Sequence, residues 1–191
     1  MKLIICWRFF LLAFILSSFK IPSSYASQTL QVIDSNSYNE VKENFKDSAK
    51  KIGSYHLKVM GFNVYYIELI SNKSEFSFTN KLGILINYKR DFKKDKLVER
   101  SINEIIKIYK ITDENLLNSY KAKLSEIFSD IKKDDRKLAF YDPKKGLKLY
   151  HNGQLNGVIE DQEFALRFIN IWLNENSSYP KMTKNLLGLN E

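Results

Sequence analysis

Asp142-Pro143-Lys144-Lys145-Gly146 and, shortly after it, Leu149-Tyr150-His151-Asn152-Gly153 decide the architecture of the last third of the chain. The first stretch predicts a tight link between two short strands, Lys137 to Tyr141 and Leu147 to Tyr150. Proline supplies a fixed φ and Gly146 a positive one, as such a turn requires. Asn152-Gly153 favours a type I′ turn into a third strand, Gln154 to Ile159. These strands make an antiparallel meander. Beyond it, Asp161 stands where a helix cap belongs, and Phe164, Phe168, Ile169 and Trp172 fall on one helical face. Pro180 opens a last short helix that ends at Gly188.

Upstream, two amphipathic helices are predicted. Val98, Ile102, Ile105, Ile106 and Tyr109 share one face; Leu117, Tyr120, Leu124, Ile127, Phe128 and Ile131 share another. Thr112 is placed to cap the second, with Asp113 and Glu114 in its first turn, where the helix dipole favours acids. The short connection between the two predicts antiparallel packing. Leu82 to Tyr88 reads as a strand. Phe62 to Ile70 is β-branched and aromatic, and apolar on both alternating faces apart from Glu68, which suits a strand covered on both sides. Gly61 marks a bend or bulge before it. The polar stretch Gln28 to Lys51 carries Tyr38, Val41, Phe45 and Ala49 at helical spacing.

The first residues read differently. Lys2 precedes an apolar run from Leu3 to Leu16, broken by Arg8, and Ser24-Tyr25-Ala26 supplies a small-residue exit. That order describes a secretory signal peptide over residues 1–26. The expected organisation is then a polar segment over 27–52 and one domain over 53–190, exported to the periplasm of a Gram-negative bacterium. The alternative is an uncleaved N-terminal membrane anchor; after cleavage no stable membrane span is expected. Cleavage would remove Cys6, the only cysteine, and with it any disulfide, thiolate nucleophile or thiolate metal site. It would also remove Lys2, Arg8 and Lys20, taking the net charge from +8 to +5. Only five arginines occur, so the basic excess is lysine. Nucleic-acid readers favour the arginine fork, and no nucleic-acid partner is expected.

Read in order, these pieces resemble the bacterial chalcone isomerase-like family. Those that carry the resemblance are Val64-Tyr65 with Leu69, Tyr88-Lys89-Arg90-Asp91, Leu97 with Glu99-Arg100-Ser101, and Phe128-Ser129-Asp130. Further along they are Tyr150-His151-Asn152-Gly153, Phe164-Ala165 with Ile171-Trp172-Leu173, and Leu186-Leu187-Gly188. The resemblance implies an α+β fold, an open-faced antiparallel β-sheet with a layer of α-helices on one side. Its members divide by function: plant enzymes cyclise chalcones, related plastid proteins bind fatty acids, and other relatives are non-catalytic. True isomerases of the family hold the ring-closing phenolate with an arginine near the first strand. Here the slots near Lys51 to Ser54 and at Asn63 hold other residues, which argues against chalcone cyclisation.

Glu68 inside an apolar strand must be paired, protonated or facing a cavity. It reads either as a proton-moving or head-group residue, or as an edge or ion-paired carboxylate. Arg90 at a strand end has the geometry to bind a carboxylate head bidentately, or to pair with Asp91, Asp95 or Glu99. Tyr65, Tyr66, Tyr88, Phe140, Tyr141 and Tyr150 lie on predicted strands and read as core packing or as lining for an apolar cleft. Alternation divides them between two faces, so only some can line one cleft. Tyr65, Glu68, Tyr88 and Arg90 are the expected ligand-binding residues. Two histidines without His-x-x-x-His spacing make no metal site, His151 reads as turn chemistry, and no cofactor fingerprint occurs. The expected function is non-catalytic binding of an apolar small molecule such as a fatty acid or other acyl chain. An isomerase or lyase acting on an unsaturated carbonyl compound is the alternative, and an envelope protein-interaction module a second one.

Overall fold

Tight turns set the order of the sheet. In the computed structural model, which describes residues 35–189, β1 (Lys50–Val59) and β2 (Phe62–Ser71) meet at Met60-Gly61. β4 (Arg136–Asp142) and β5 (Gly146–His151) meet across Pro143, and β5 meets β6 (Gln154–Ile159) at Asn152-Gly153. With β3 (Leu82–Tyr88) between β2 and β4, the strands form one six-stranded antiparallel sheet in chain order. Helix α1 (Asn39–Phe45) precedes β1, α2 (Lys94–Tyr109) and α3 (Glu114–Ile127) lie between β3 and β4, and α4 (Gln162–Ile169) and α5 (Pro180–Leu186) follow β6. No helix among the described residues is long and apolar enough to cross a membrane. The expected leader over residues 1–26 lies outside the described residues.

The turns follow the sequence closely. Asn152 and Gly153 adopt φ of 49° and 87°, the two positive values that a type I′ turn needs. Asp161 caps α4 by accepting the Phe164 N–H at 2.9 Å. One local expectation is narrowed and another corrected. Of the bend or bulge expected at Gly61 the bend is observed: with Met60 it reverses the chain, and the strand before it pairs with the strand after it. The cap of α3 is Asp113 and not Thr112, since its Oδ1 accepts the N–H groups of Asn115 and Leu116 at 2.9 and 3.1 Å. The sheet also takes in Lys50 to Ile52, residues that the sequence reading leaves in the N-terminal polar segment.

Alternation sorts the side chains into two layers. Ile67, Leu69, Leu82, Ile84 and Ile86 pack under α2, α3, α4 and α5. Ile70, Leu85, Leu138, Phe140 and Tyr150 form a second cluster, closed by Val41 and Phe45 of α1. The open-faced α+β sheet with helices layered on one side is therefore observed, and α1 is added on the other side. Phe45 meets the Phe140 ring edge-on at 5.0 Å. Glu40, buried in α1, pairs with Arg136 Nε of β4 at 2.7 Å, and the same guanidinium lies 3.7 Å from the centre of the Tyr38 ring. A buried carboxylate needs such a partner.

On the main face, α5 lies directly against β1. A Cβ on Gly53 would sit 2.1 Å from the Asn185 carbonyl oxygen and 2.5 Å from that of Leu186, both of them backbone atoms that cannot swing aside.

Gly53→Ala should lower unfolding free energy by about 2 kcal/mol through this overpacking, read as a shift in the urea midpoint at unchanged slope. Phe45→Ala should cost about 3 kcal/mol in the same titration, because it empties the cluster under α1. A Phe45→Ala midpoint equal to that of the parent would mean that α1 lies outside the cooperative unit.

Candidate functional site

Tyr65 of β2 and Tyr88 of β3 are direct partners in the ladder, and both project from the face that carries the helices. Their rings meet edge-on with centroids 6.0 Å apart, and Phe92 continues the row at 5.5 Å from Tyr88. Above them, α2 stands clear of the sheet. Small side chains leave the gap open: Ser101 projects from the roof and Ala139 from the floor. The result is a cavity of about 410 Å³ between sheet and helices. Ile84, Ile86 and Leu149 complete its floor, and Leu97, Phe168, Trp172 and Met182 supply most of its apolar wall.

The polar groups of the cavity are few and specific. Burial raises the Tyr65 and Tyr88 hydroxyls well above the ordinary tyrosine range, so both stay protonated donors. The Tyr65 hydroxyl lies 3.5 Å from Met182 Sδ. Lys137 of β4 also lines the cavity, and burial lowers its ammonium to about 8. Behind it runs a chain of contacts: Lys137 Nζ donates to Ser129 Oγ at 3.3 Å, and Ser129 Oγ lies 2.9 Å from His151 Nδ1. His151 Nε2 in turn lies 2.9 Å from Asp135 Oδ2. Burial tends to raise the Asp135 carboxyl. Hydrogen bonds from Asn152 and the Lys132 N–H, with the His151 ring close by, outweigh that, and it stays below the usual carboxylate range. Lys137 is thus held from behind while its charge faces an apolar space.

Arg100, Lys96 and Glu104 of α2 complete the lining. Glu104 is buried and already bound: it accepts from the Ser178 N–H, from Ser178 Oγ at 2.8 Å, and pairs with Arg100 at 3.4 Å. These contacts tie the segment before α5 to α2. The Arg100 guanidinium lies 5.7 Å from the Tyr179 ring centre and remains largely exposed.

Of the four residues expected to line a cleft, the structure brings two together. Tyr65 and Tyr88 face the cavity. Glu68 does not, because its cross-strand partner is Leu85, which belongs to the layer under α1. It sits partly buried with Lys51 Nζ at 3.9 Å. Arg90 is also outside the lining: β3 ends at Tyr88, and the exposed guanidinium lies 5.8 Å from the Phe92 ring centre. Asp91 takes the Lys133 N–H at 2.8 Å and Lys132 Nζ at 3.2 Å instead of pairing with Arg90. Tyr66, Phe140 and Tyr150 fall away from the cavity as well; Tyr66 stacks on His56 at 3.9 Å, and the other two join the α1 cluster. Sequence reasoning missed Lys137, Arg100 and Glu104. The parity of Lys137 with Ala139 and Tyr141 is legible in the strand, but the void above that face is not.

Such a cavity can hold an elongated apolar molecule and meet one polar or anionic end with an ammonium and phenolic donors. Residues 58–188 match a family model described as chalcone isomerase-like. No curated protein matches the chain in sequence. Among solved structures, a fatty-acid binding protein of Arabidopsis thaliana is similar, with a TM-score of 0.55 and 12% identity over 75% of this chain and 88% of that one. That likeness is one of fold. The matched residues run from the end of β1 through α5 and so take in most of the sheet and the whole helix layer over it: the chain belongs to the chalcone isomerase-like family.

Proposed function

We propose that this protein binds an apolar small molecule with an acidic head, an acyl chain with its carboxylate, without catalysing its conversion. The observation that carries this reading is the pairing of an apolar cavity of about 410 Å³ with one partly buried lysine and two protonated tyrosines. An ammonium whose charged form is disfavoured by burial gains most from an anionic partner that enters the same space. The fatty-acid binding named for the structurally similar plant protein accords with this ligand class. Residues 1–26 act as an export leader in this reading, and the domain works in the periplasm.

An isomerase or lyase would need a group to move a proton at the ligand. Glu68, expected in that role, faces the opposite layer, and Glu104, the carboxylate that does line the cavity, is engaged by Ser178 and Arg100. Binding asks for less than this and is favoured.

Titration of the folded protein with decanoate, followed by calorimetry, tests the reading; saturable binding at one site per chain is expected. No heat and no protection against thermal unfolding with saturated acids of any chain length would sink it. Lys137→Met should weaken binding by about tenfold or more, the value of one charge-assisted hydrogen bond. The pH dependence has a definite sign. Lys137 is charged below about 8, so affinity should be level through neutral pH and fall above about 8 as the free ammonium deprotonates. The limiting slope is about tenfold per pH unit, and Lys137→Met should abolish it.

A further inference from the structure

The β1–β2 hairpin ends in Val59-Met60-Gly61-Phe62, and this tip is built against ordinary turn chemistry. Met60 is 92% exposed, Phe62 69% and Val59 39%. Only Leu155 and Leu189 join them as exposed large apolar residues among the described residues, so three of five crowd into one turn. Met60 also adopts φ 50°, a left-handed conformation that a methionine enters at a cost and that asparagine or glycine takes readily. The same sheet shows the ordinary solution at Asn152-Gly153. Neither packing nor turn geometry accounts for a bare methionine and phenylalanine here.

Two neighbouring features point to what covers them. Lys58, exposed on β1, adjoins the tip, and Lys89 Nζ lies 5.4 Å from the Tyr66 ring centre while pairing with Asp134 at 3.1 Å. The charges of both lysines reach His56 and, after burial, help to lower its pKa. The tip therefore carries apolar side chains at its end and ammonium groups behind them, in a chain whose net charge of +8 stays positive, at +5, without Lys2, Arg8 and Lys20. That is the order in which a bilayer presents acyl chains behind anionic headgroups. The second feature is continuity: Leu57 and Val64, on the two strands of this same hairpin, line the cavity.

We propose that the β1–β2 hairpin tip docks the protein on anionic lipid membranes, with Met60 and Phe62 inserted at the headgroup boundary and Lys58 and Lys89 against the headgroups. The choice of a membrane as the occupant rests in part on the acyl-binding reading, because docking there would bring the cavity next to the source of its ligand.

The test uses the protein without its leader, residues 27–191, carrying Met60→Cys, labelled with an environment-sensitive dye and mixed with phosphatidylglycerol–phosphatidylcholine vesicles. A dye at the tip reports local contact whatever the rest of the chain does. The expected result is a blue shift, quenching by a nitroxide on the lipid acyl chain, and partitioning that weakens as salt rises. Adding Phe62→Ser should reduce partitioning on the order of tenfold. The same dye at Leu189→Cys should be neither shifted nor quenched. Quenching at the tip no greater than at residue 189, or no effect of Phe62→Ser, would overturn the proposal. Equal partitioning to pure phosphatidylcholine would overturn its anionic part. A blue shift that grows with protein concentration without lipid would assign the tip to a second copy of the chain and overturn it too. No fatty acid is present in this assay, so its failure leaves cavity binding untouched, and absent decanoate binding leaves docking untouched.

Discussion

Side chains in β2, β3 and β4 alternate between two unlike layers, and every later feature of the molecule depends on that division. One face, through Ile67, Leu69, Ile84 and Ala139, meets four helices. The other, through Ile70, Leu85, Leu138 and Phe140, is closed by α1. A strand with apolar groups on both faces cannot leave either one in water without losing burial energy on the order of 25 cal/mol per Å². The short N-terminal helix is thus the second cover of the sheet, and the Glu40–Arg136 pair holds it in place.

The larger face is covered incompletely, and this is where the chemistry gathers. Native interiors are packed to crystal-like density, so a cavity of about 410 Å³ among so many apolar side chains departs from the ordinary. Contacts beside the void tie the helix layer to the sheet and to itself. Gly53 lets α5 rest on β1, and Glu104 binds the Ser178 segment to α2. With both helices anchored, Ser101 and Ala139 leave space between them that no neighbouring side chain fills. Lys137 then faces that space with its amine steadied through Ser129 and, beyond it, His151 and Asp135.

An apolar void next to a lysine and an apolar, cation-backed hairpin tip belong to one element pair, since Leu57 and Val64 of that hairpin line the cavity. Ligand space and surface patch are therefore parts of one antiparallel hairpin, whose Tyr65 pairs with Tyr88 at the tip-side end of the β2–β3 ladder.

Much of this was legible in the residues. Asp142-Pro143 with Gly146, Asn152-Gly153 and the Asp161 cap each act over a few residues, so their turns and boundaries follow from local backbone preference. The spacing of Val98, Ile102 and Ile105 likewise declares a helix face without reference to anything distant. Element order points to the family, and of the residues expected at a cleft Tyr65 and Tyr88 lie on the cavity lining. Glu68 and Arg90 are chemically conspicuous, as an acid in a strand and an arginine at a strand end, and that draws them into the expected site. Strand alternation already sets Glu68, three residues from Tyr65, on the opposite face, and Arg90 lies beyond the end of β3. Lys137 escapes notice for a different reason: a lysine at the start of a strand looks like surface until a cavity is known to lie above it. The sequence by itself determined the elements, their turns and the side of each strand a residue occupies, because those rest on short-range sterics and the two- and 3.6-residue periods. Only the tertiary structure decided where the void lies and which polar groups converge on it, because that depends on contacts such as Gly53 with Asn185 and Glu104 with Ser178, between residues more than seventy positions apart.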